Sequence, residues 1–394
     1  MSTEVLILGG ARTAMGEYGG ALRDLTANEL GAIAARGALQ KTGIPADAID
    51  HTVMGNAMQT SADAIYGARH VALKAGVPIE KPALTVNRLC GSGIQAIISG
   101  AQMIQLGEAQ TVLAGGMESM SQAPHVIRGA RWGFRLGEGK LEDSLMVSLM
   151  DSYCGYYMAQ TAENLAHKFE ISREEQDAFA LLSQQRAAQA WAAGRFKDEV
   201  VAVEIEGRKT RTLFERDDHL RPDTTREGLA KLKPAFSRDG FVTAGNASGI
   251  VDGAAAVIIA GEAAASRFET KPIGRIVSWS VAGVPPEIMG IGPVPASRHA
   301  LEKAGLTLDE IDLVEVNEAF AAQYLAVERE MVLDRARTNV NGGAIALGHP
   351  LGASGARLVL TLLHELRRRA KRYGLATACI GGGQGIAMIV EALA

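Results

Sequence analysis

The amino-acid sequence predicts an α/β protein made of two related domains with buried sheets, separated by a long insertion. Three observations lead to this prediction: an internal repeat, the alternation of apolar strands with amphipathic helices in both halves, and a central stretch of different composition. The 394 residues are enough for two or three domains with a large core.

The internal repeat relates the two halves of the chain. Residues 38–50 (ALQKTGIPADAID) align without gaps on residues 300–312 (ALEKAGLTLDEID), and seven of the thirteen positions are identical. Each copy has the pattern of an amphipathic helix that ends at a glycine, Gly43 or Gly305, and is followed by a turn and an apolar strand. The two halves are therefore expected to share one succession of elements.

A second pair of segments extends the repeat. Thr85–Asn87 and Asn339–Asn341 are each predicted to end a strand, after which a glycine-rich turn opens a helix. The helices are predicted over 94–106 and 356–366, and the strands that follow them over 111–119 and 376–385.

The stretch 119–249 differs from both halves because it is rich in charge and in Met, Arg and Asp. Its clearest element is a helix over 173–193, with Ser172 as N-cap and Glu175 completing a capping box. We predict an N-terminal α/β domain over 1–118, completed by about 250–270, a loop domain over 119–249, and a C-terminal α/β domain over 271–394.

Composition and charge argue against several classes of partner. A content of 47% hydrophobic and 21% charged residues is typical of a packed globular protein. The 40 Lys plus Arg against 44 Asp plus Glu give a net charge of −4, so nucleic acid is not an expected partner. No apolar run is long enough for a membrane span, so membrane insertion is not expected either.

Cysteine usage predicts a reducing compartment. Cys90, Cys154 and Cys379 form an odd set without a CxxC pair, which argues against a disulfide scaffold and a zinc cluster. Val5–Leu8 is predicted to be a buried strand and not part of a signal peptide. We expect a cytoplasmic protein, with a mitochondrial or other organellar location left open.

Cys90 is a candidate nucleophile. It lies in NRLCGSGIQAII, where a predicted strand end meets glycines and the start of a helix. Free N–H groups and the positive end of a helix dipole favour the thiolate at such a position, and Gly91 and Gly93 keep side chains away from the sulfur. The alternative is a small buried apolar residue, the usual role of a lone cysteine.

Three residues of the second half are candidate partners of Cys90. His349, the only one of eight histidines enclosed by glycines and proline, is placed to accept the thiol proton. Cys379 precedes the run Gly381–Gly383, which is either a tight turn or an oxyanion hole and, with no GK[ST] after it, not a Walker loop. Asn317 in EVNEAF is either a turn or cap residue or a ligand of an oxyanion or water.

These motifs together resemble those of the thiolase family. NRLCGSG, GNASGIVDGAAA, VNEAFAAQ, GGAIALGHPLGASGAR and CIGGGQGIA occur in the family's usual order and spacing over the whole chain. The resemblance implies a thiolase-like fold, with two duplicated α/β domains and mixed buried sheets in αβαβα layers, plus a loop domain over the active site. It also implies that Cys90 is acylated, that His349 activates it, and that Cys379 is acid and base at the acetyl α-carbon.

The resemblance further implies how substrates are held. Asn317 would hold a water that forms one oxyanion hole with His349, and the backbone N–H groups of Cys90 and Gly381 would form the other. Coenzyme A is implied as a substrate, with no cofactor and no metal, and Arg221 would lie near its nucleotide end. The implied substrate and coenzyme A contacts are Leu149, Tyr157, Met158, Arg221, Phe236, Ala244, Ser248, Met289, Ala319 and Phe320.

Several residues and segments indicate which kind of thiolase the sequence resembles. Tyr157 stands where acetoacetyl-CoA-specific relatives typically have His, and Gly228 where they often have Ser. GGMESMSQAP, KLEDSL and AAQYLAVERE look more like the 3-ketoacyl-CoA thiolases of fatty-acid oxidation. We therefore predict an acetyl-CoA C-acyltransferase that cleaves 3-ketoacyl-CoA with coenzyme A to acetyl-CoA and a shortened acyl-CoA, the reverse of a Claisen condensation.

The sequence leaves alternative functions open and also bears on the oligomeric state. An acetoacetyl-CoA-specific biosynthetic enzyme is the first alternative; a ketosynthase-like condensing enzyme is disfavoured by Cys379, and a non-catalytic interaction protein by the presence of both cysteines and His349. The resemblance also implies a homo-oligomer, either a dimer or a tetramer built as a dimer of dimers.

Overall fold

Strands and helices alternate in the N-terminal part of the computed structural model, which describes residues 3–207 and 210–393. The predicted strand at Val5–Leu8 runs on to Thr13, and all of its residues are buried. The elements are β1 (Val5–Thr13), β2 (Gly16–Glu17), α1 (Ala27–Thr42), β3 (His51–Gly55), α2 (Gly67–Lys74), β4 (Ala83–Val86), α3 (Ser92–Gln105) and β5 (Thr111–Glu118).

The middle of the chain holds helices and short two-stranded hairpins. Its longest helix begins with the predicted capping box, in which Ser172 and Glu175 each accept the other's backbone N–H. The elements are β6 (His125–Ile127), β7 (Leu141–Asp143), α4 (Ser144–Ser148), β8 (Met150–Asp151), β9 (Tyr156–Tyr157), α5 (Met158–Lys168), α6 (Arg173–Ala192), β10 (Val200–Val201), β11 (Val203–Glu206), β12 (Arg211–Phe214) and α7 (Arg226–Ala230).

The C-terminal part repeats the alternation of the N-terminal part. Both repeat helices end as predicted, because Gly43 and Gly305 take left-handed φ values of 67° and 66° at the helix C-caps. The elements are β13 (Val251–Gly261), α8 (Glu262–Ala265), β14 (Gly274–Gly283), α9 (Pro293–Ala304), β15 (Leu313–Val316), α10 (Ala321–Met331), α11 (Ala344–Leu347), α12 (Leu351–Arg368), β16 (Tyr373–Ile380) and β17 (Gln384–Ala392).

The sheet shows the duplication directly. Its path is β15-β16-β17-β14-β1-β13-β5-β3-β4. In one half β3 is parallel to β5 and β5 antiparallel to β13; in the other, β15 is parallel to β16 and β16 antiparallel to β17. The two halves join where β1 pairs with β14 at only two positions, Leu6 with Arg275 and Ile7 with Gly274. The sheets predicted for the two domains are therefore one continuous sheet, joined by the short pairing of β1 with β14.

One predicted strand is wrong. Instead of a strand that ends at 339–341, the structure has a single bridge between Val314 and Thr338. Asn339 has a φ of 47°, and its side chain donates to the carbonyl of Val316 and accepts from the N–H of Val316, both at 2.8 Å. The amide thus takes the place of ladder hydrogen bonds, as asparagine side chains can do locally.

The central helices α3 and α12 pack against each other and against strands of both halves of the sheet. Helices α1 and α2 cover the outer face of the N-terminal half, and α9 and α10 that of the C-terminal half. This gives the αβαβα layering. At the contact of the central helices, a Cβ on Gly93 would lie 2.4 Å from the backbone nitrogen of Ala356, so only glycine permits this approach. The starts of both helices are thereby brought together.

Candidate active site

Four loops meet where the central helices begin. Cys90 lies in a short 3-10 turn, Leu89–Gly91, that contacts both α12 and β16. His349 precedes α12, Cys379 is the penultimate residue of β16, and Asn317 follows β15 directly. The duplicated topology therefore places residues from both halves of the chain at one site.

The Cys90 turn is held in a strained conformation. Leu89 has a φ of 45°, which is unfavourable for a side chain of this size. The Ser92 hydroxyl accepts from the N–H of Arg88 at 2.8 Å and donates to the carbonyl of Leu89 at 2.7 Å, and this fixes the turn. The half-buried Cys90 sulfur faces the backbone N–H of Gly381.

The expectation that the Cys90 thiolate is favoured in the free protein is wrong. Removal from water raises the pKa of Cys90 to about 11, and the negative charge of Glu118 adds to this increase. The N–H groups of Gly381 and of Cys90 itself lower the pKa, but by less than burial raises it. Cys90 is therefore a thiol at neutral pH and needs a base.

His349 has the protonation state that a base requires. Its Nδ1 lies 2.5 Å from the Ser354 hydroxyl, and that hydroxyl donates to the carbonyl of Pro350 at 3.0 Å. Because Ser354 uses its own hydrogen for Pro350, Nδ1 carries the imidazole proton and Nε2 is the unprotonated nitrogen of the ring. Burial, and secondarily the charge of Arg357, lower the pKa of His349 to about 3, so the ring is neutral.

Asn317 completes the environment of the imidazole. Its Nδ2 lies 3.2 Å from His349 Nε2 and donates to that nitrogen. Both side chains are buried, and Asn317 Oδ1 has no hydrogen-bond partner among the described residues. The Asn317 amide and the unprotonated nitrogen of His349 are therefore in direct contact.

Cys379 is a second, more deeply placed thiol. It is fully buried, and burial together with the neighbouring Cys90 raises its pKa. It packs against the buried Met289 and Ala319, with Met158 and Phe320 at the edge of the same cluster. Four of the predicted substrate contacts thus surround this sulfur.

The glycine turn after β16 shapes the site. Gly382 and Gly383 have φ values of 78° and 83°, and a Cβ on Gly383 would lie 2.3 Å from the carbonyl oxygen of Val284. A Cβ on Gly381 would lie 3.2 Å from the Met158 sulfur and 3.3 Å from a methyl group of Leu89. The turn that carries the Gly381 N–H to Cys90 therefore has little room for side chains.

Other predicted contacts are joined to one another or to that cluster by direct contacts. The rings of Tyr157 and Phe236 lie 6.2 Å apart, and the carbonyl of Leu149 accepts from the N–H of Met158 at 2.9 Å. The N–H of Ser248 donates to the carbonyl of Ala319 at 3.0 Å.

Two predicted contacts lie outside this cluster. Ala244 is exposed on the loop between Val242 and Asn246. Arg221 is bound to Glu17 at the protein surface. Of the ten predicted substrate contacts, Met158, Met289, Ala319 and Phe320 are the ones that share an apolar cluster with Cys379.

Sequence reasoning missed two residues that hold the site together. Ser354 orients His349, and its position five residues later in the same glycine-rich motif was an available signal. Glu118 ends β5, and its carboxylate accepts from the N–H groups of Ala57, Met58 and Gly352 at 2.8–3.0 Å. Burial raises the pKa of Glu118 to about 7. Its partners are distant in sequence, so no local pattern reveals them.

Comparisons with known proteins agree with this geometry. Residues 5–263 match the thiolase N-terminal domain family, and residues 270–392 match the thiolase C-terminal domain family. The human protein named 3-ketoacyl-CoA thiolase, mitochondrial, is 56% identical over 99% of this chain and 98% of its own length. An acetyl-CoA acetyltransferase of Pseudomonas aeruginosa is 52% identical over 98% of each chain.

Solved structures agree as well. The crystal structure of the human mitochondrial 3-ketoacyl-CoA thiolase has a TM-score of 0.98 and 55% identity, covering 100% of this chain and 99% of that one. The same human enzyme in complex with CoA has a TM-score of 0.97 at 55% identity, covering 100% of this chain and 98% of that one. The fold and the paired thiols define an acyltransferase of the duplicated α/β type. The chain belongs to the thiolase family.

Proposed function

We propose that this enzyme is an acetyl-CoA C-acyltransferase that cleaves 3-ketoacyl-CoA with coenzyme A. The observation that carries the proposal is the neutral His349, whose unprotonated Nε2 accepts a hydrogen bond from Asn317, in a site that contains two thiols of raised pKa. A thiol nucleophile, a base and a second thiol are what a two-step acyl transfer with carbon–carbon cleavage needs.

In the first step the Asn317 amide gives up its hydrogen bond to His349 Nε2, this nitrogen takes the proton of Cys90, and the thiolate attacks the 3-keto carbon of the substrate. The bond between C2 and C3 breaks, and its electron pair becomes the enolate of acetyl-CoA. Cys379 gives a proton to C2, which yields acetyl-CoA and an acyl group on Cys90. The raised pKa of Cys379 keeps that proton available at neutral pH.

In the second step coenzyme A releases the acyl group. Its thiol returns a proton to Cys379, and its sulfur attacks the acyl carbonyl carbon. The bond to Cys90 breaks, the leaving sulfur recovers its proton from His349, and the shortened acyl-CoA departs. All groups then have their starting protons, so the cycle needs coenzyme A as a substrate and no other reactant.

Two sets of donors would stabilise the negative oxygens. The N–H groups of Cys90 and Gly381 lower the pKa of the Cys90 thiol. This supports the proposal that they donate hydrogen bonds to an oxyanion that forms next to this sulfur. Asn317 and His349 would serve the enolate oxygen through a water, and the unused buried acceptor Asn317 Oδ1 offers that water a further partner.

The insertion 119–249 is proposed as the loop domain that binds coenzyme A over the site, between the two α/β domains predicted at 1–118 with 250–270 and at 271–394. Met158, Tyr157 and Phe236 supply an apolar and aromatic surface for the pantetheine and acyl chain. Arg221 supplies a cation for the nucleotide end. Ser248 and Phe320 would line the opposite wall.

We propose that the enzyme accepts acyl chains longer than acetoacetyl. A neutral aromatic at Tyr157, packed near Phe236, offers an apolar surface where histidine would offer a polar one. The human relative named 3-ketoacyl-CoA thiolase supports this choice, although relatives of about 50% identity are named acetyl-CoA acetyltransferase.

We also propose a homo-oligomer, a tetramer built as a dimer of dimers. In the described structure β4 pairs only with β3, so its outer edge is open, and Leu84 and Leu89 beside that edge are exposed. A second apolar surface is the segment around the β6–β7 hairpin, where Trp132 and Leu136 are 87% and 97% exposed. Leu84→Lys should give monomers, and Leu136→Asp dimers, by light scattering after size exclusion.

A reducing compartment is proposed as the location, either the cytoplasm or an organelle such as the mitochondrion. All three cysteines are free thiols, and the human relative is named mitochondrial. Among the described helices, none combines the length and the apolar character needed to cross a bilayer.

Intact mass spectrometry after mixing with acetyl-CoA tests the nucleophile. One added acetyl group should map to Cys90 and be absent in Cys90→Ser. Cys154→Ser, which removes a thiol outside the site, should be acetylated normally. Acetylation of Cys379 or Cys154 in the unmodified enzyme contradicts the assignment.

A further inference from the structure

Arg221 is held by an acidic side chain of the same chain. Its Nη2 lies 2.7 and 2.9 Å from the two carboxylate oxygens of Glu17, and its Nη1 donates to the carbonyl of Asp218 at 2.7 Å. Both side chains of the pair are a little under half exposed. The guanidinium is thus occupied in the free protein, although it remains accessible to a ligand.

The pair lies close to the active site. Glu17 Oε1 is 3.5 Å from His219 Nδ1, and the His219 ring lies against Gly249. The carbonyl of Gly249 accepts the backbone N–H of His349 at 3.0 Å. Direct contacts therefore connect the backbone of His349 to the Arg221–Glu17 pair through Gly249 and His219.

The local charge is unfavourable for an anion. Glu17 donates its backbone N–H to the carboxylate of Asp218, so two acidic side chains accompany the one guanidinium. Partial burial raises the pKa of Glu17, but hydrogen bonds and the charge of Arg221 outweigh it and hold the pKa below its ordinary value. Burial lowers the pKa of His219, so that ring adds no positive charge at neutral pH.

We propose that Glu17 sets the affinity for coenzyme A by competing with the phosphate groups of the ligand for Arg221. This rests on the proposed assignment of Arg221 to the nucleotide end. A phosphate must displace the Glu17 carboxylate or share the guanidinium with it, so part of the attraction of Arg221 is already used in the free protein. Coenzyme A and its thioesters therefore bind less tightly, and are released more readily, than a neutral residue at this position would allow.

Glu17→Gln tests the proposal because it keeps the shape and removes the charge. The KM for coenzyme A in thiolysis, and the Ki of adenosine 3′,5′-bisphosphate, should both fall about two- to five-fold, the range of an exposed ion pair. The kcat should stay constant, and the effect should shrink at high salt. Glu204→Gln is the matched control, since Glu204 is an exposed carboxylate 3.0 Å from Arg211 on the separate β11–β12 hairpin.

A double mutant separates the two possible failures. Arg221→Gln should raise the KM and the Ki, and adding Glu17→Gln to it should change neither further. Pantetheine, which has no phosphate, should respond to neither substitution. Competition is overturned if Arg221→Gln weakens binding but Glu17→Gln has no effect. It is also overturned if Glu17→Gln has the same effect in the Arg221→Gln background, or with pantetheine, as it has in the unmodified enzyme with coenzyme A. If Arg221→Gln leaves both constants unchanged, the assignment of Arg221 fails, and the competition fails with it.

Discussion

Asn317 Nδ2 lies 3.2 Å from His349 Nε2, and the other ring nitrogen of His349 is held by Ser354. The two hydrogen bonds fix both the ring orientation and the tautomer, so the basic lone pair points to one place. A histidine held in this way remains unprotonated far below pH 6.5, since burial has lowered its pKa to about 3.

Substitution of the amide tests this relationship. Asn317→Ala should lower kcat by roughly 100-fold, because loss of one oxyanion donor costs roughly 3 kcal/mol of transition-state stabilisation. The KM for coenzyme A should change little. Steady-state thiolysis measures both constants, and an unchanged kcat would leave Asn317 with a structural role only.

The two thiols should be separable by function. Cys379→Ala should still be acetylated at Cys90, but should lose condensation and α-proton exchange by about 10²- to 10⁴-fold, the usual contribution of general acid–base catalysis. NMR of the acetyl methyl group in D₂O follows the exchange. Normal deuterium uptake in the variant would rule out Cys379 as the acid and base.

The raised pKa of Cys90 predicts how its reactivity depends on pH. Below a pKa of about 11 the thiolate fraction rises tenfold per pH unit, so alkylation by iodoacetamide should accelerate about tenfold per unit between pH 6 and 9. The experiment uses Cys154→Ser enzyme, with label at Cys90 quantified by peptide mass. A rate that levels off below pH 8 would mean that the thiolate already exists in the free enzyme.

The acyl-chain range is a further test. If the channel is open, kcat/KM should rise by up to a few-fold per methylene from acetoacetyl-CoA to 3-ketohexanoyl-CoA, since each buried CH₂ contributes about 0.8 kcal/mol. Tyr157→His should reduce this preference for longer chains, and Tyr157→Phe should keep it. Cleavage of acetoacetyl-CoA without any cleavage of 3-ketohexanoyl-CoA contradicts the open channel.

The carboxylate of Glu118 should stabilise the site as a whole. It accepts three backbone N–H groups, one of them from Gly352 in the first turn of α12, and a side-chain amide from Asn56. Glu118→Ala leaves these buried donors unpaired, so it should reduce the free energy of unfolding by several kcal/mol. Glu142→Ala, at an exposed ion pair with Arg128, should cost less than about 1 kcal/mol by denaturant titration.

Much of the fold was predictable because the halves repeat a local pattern. The helix that ends at Gly43, its copy that ends at Gly305 and the capping box at Ser172 depend on neighbouring residues, and the structure has them where the sequence predicts them. The prediction of a strand that ends at 339–341 is wrong because the Asn339 side chain forms hydrogen bonds with the backbone of Val316, 23 residues earlier. A partner so far away in the chain does not appear in the local pattern of apolar residues.

The order of residues along the chain is enough to predict the duplicated α/β class and to nominate the reactive side chains, since the repeat and the motifs are both local. Only the tertiary structure decided the state of those side chains. Burial and the charge of Glu118 raise the pKa of Cys90 and keep it a thiol, whereas burial and the charge of Arg357 lower the pKa of His349 and keep it neutral. Arg221 is masked by Glu17, 204 residues away in the chain. Burial and contacts between distant segments set protonation and availability, and these exist only once the chain has folded.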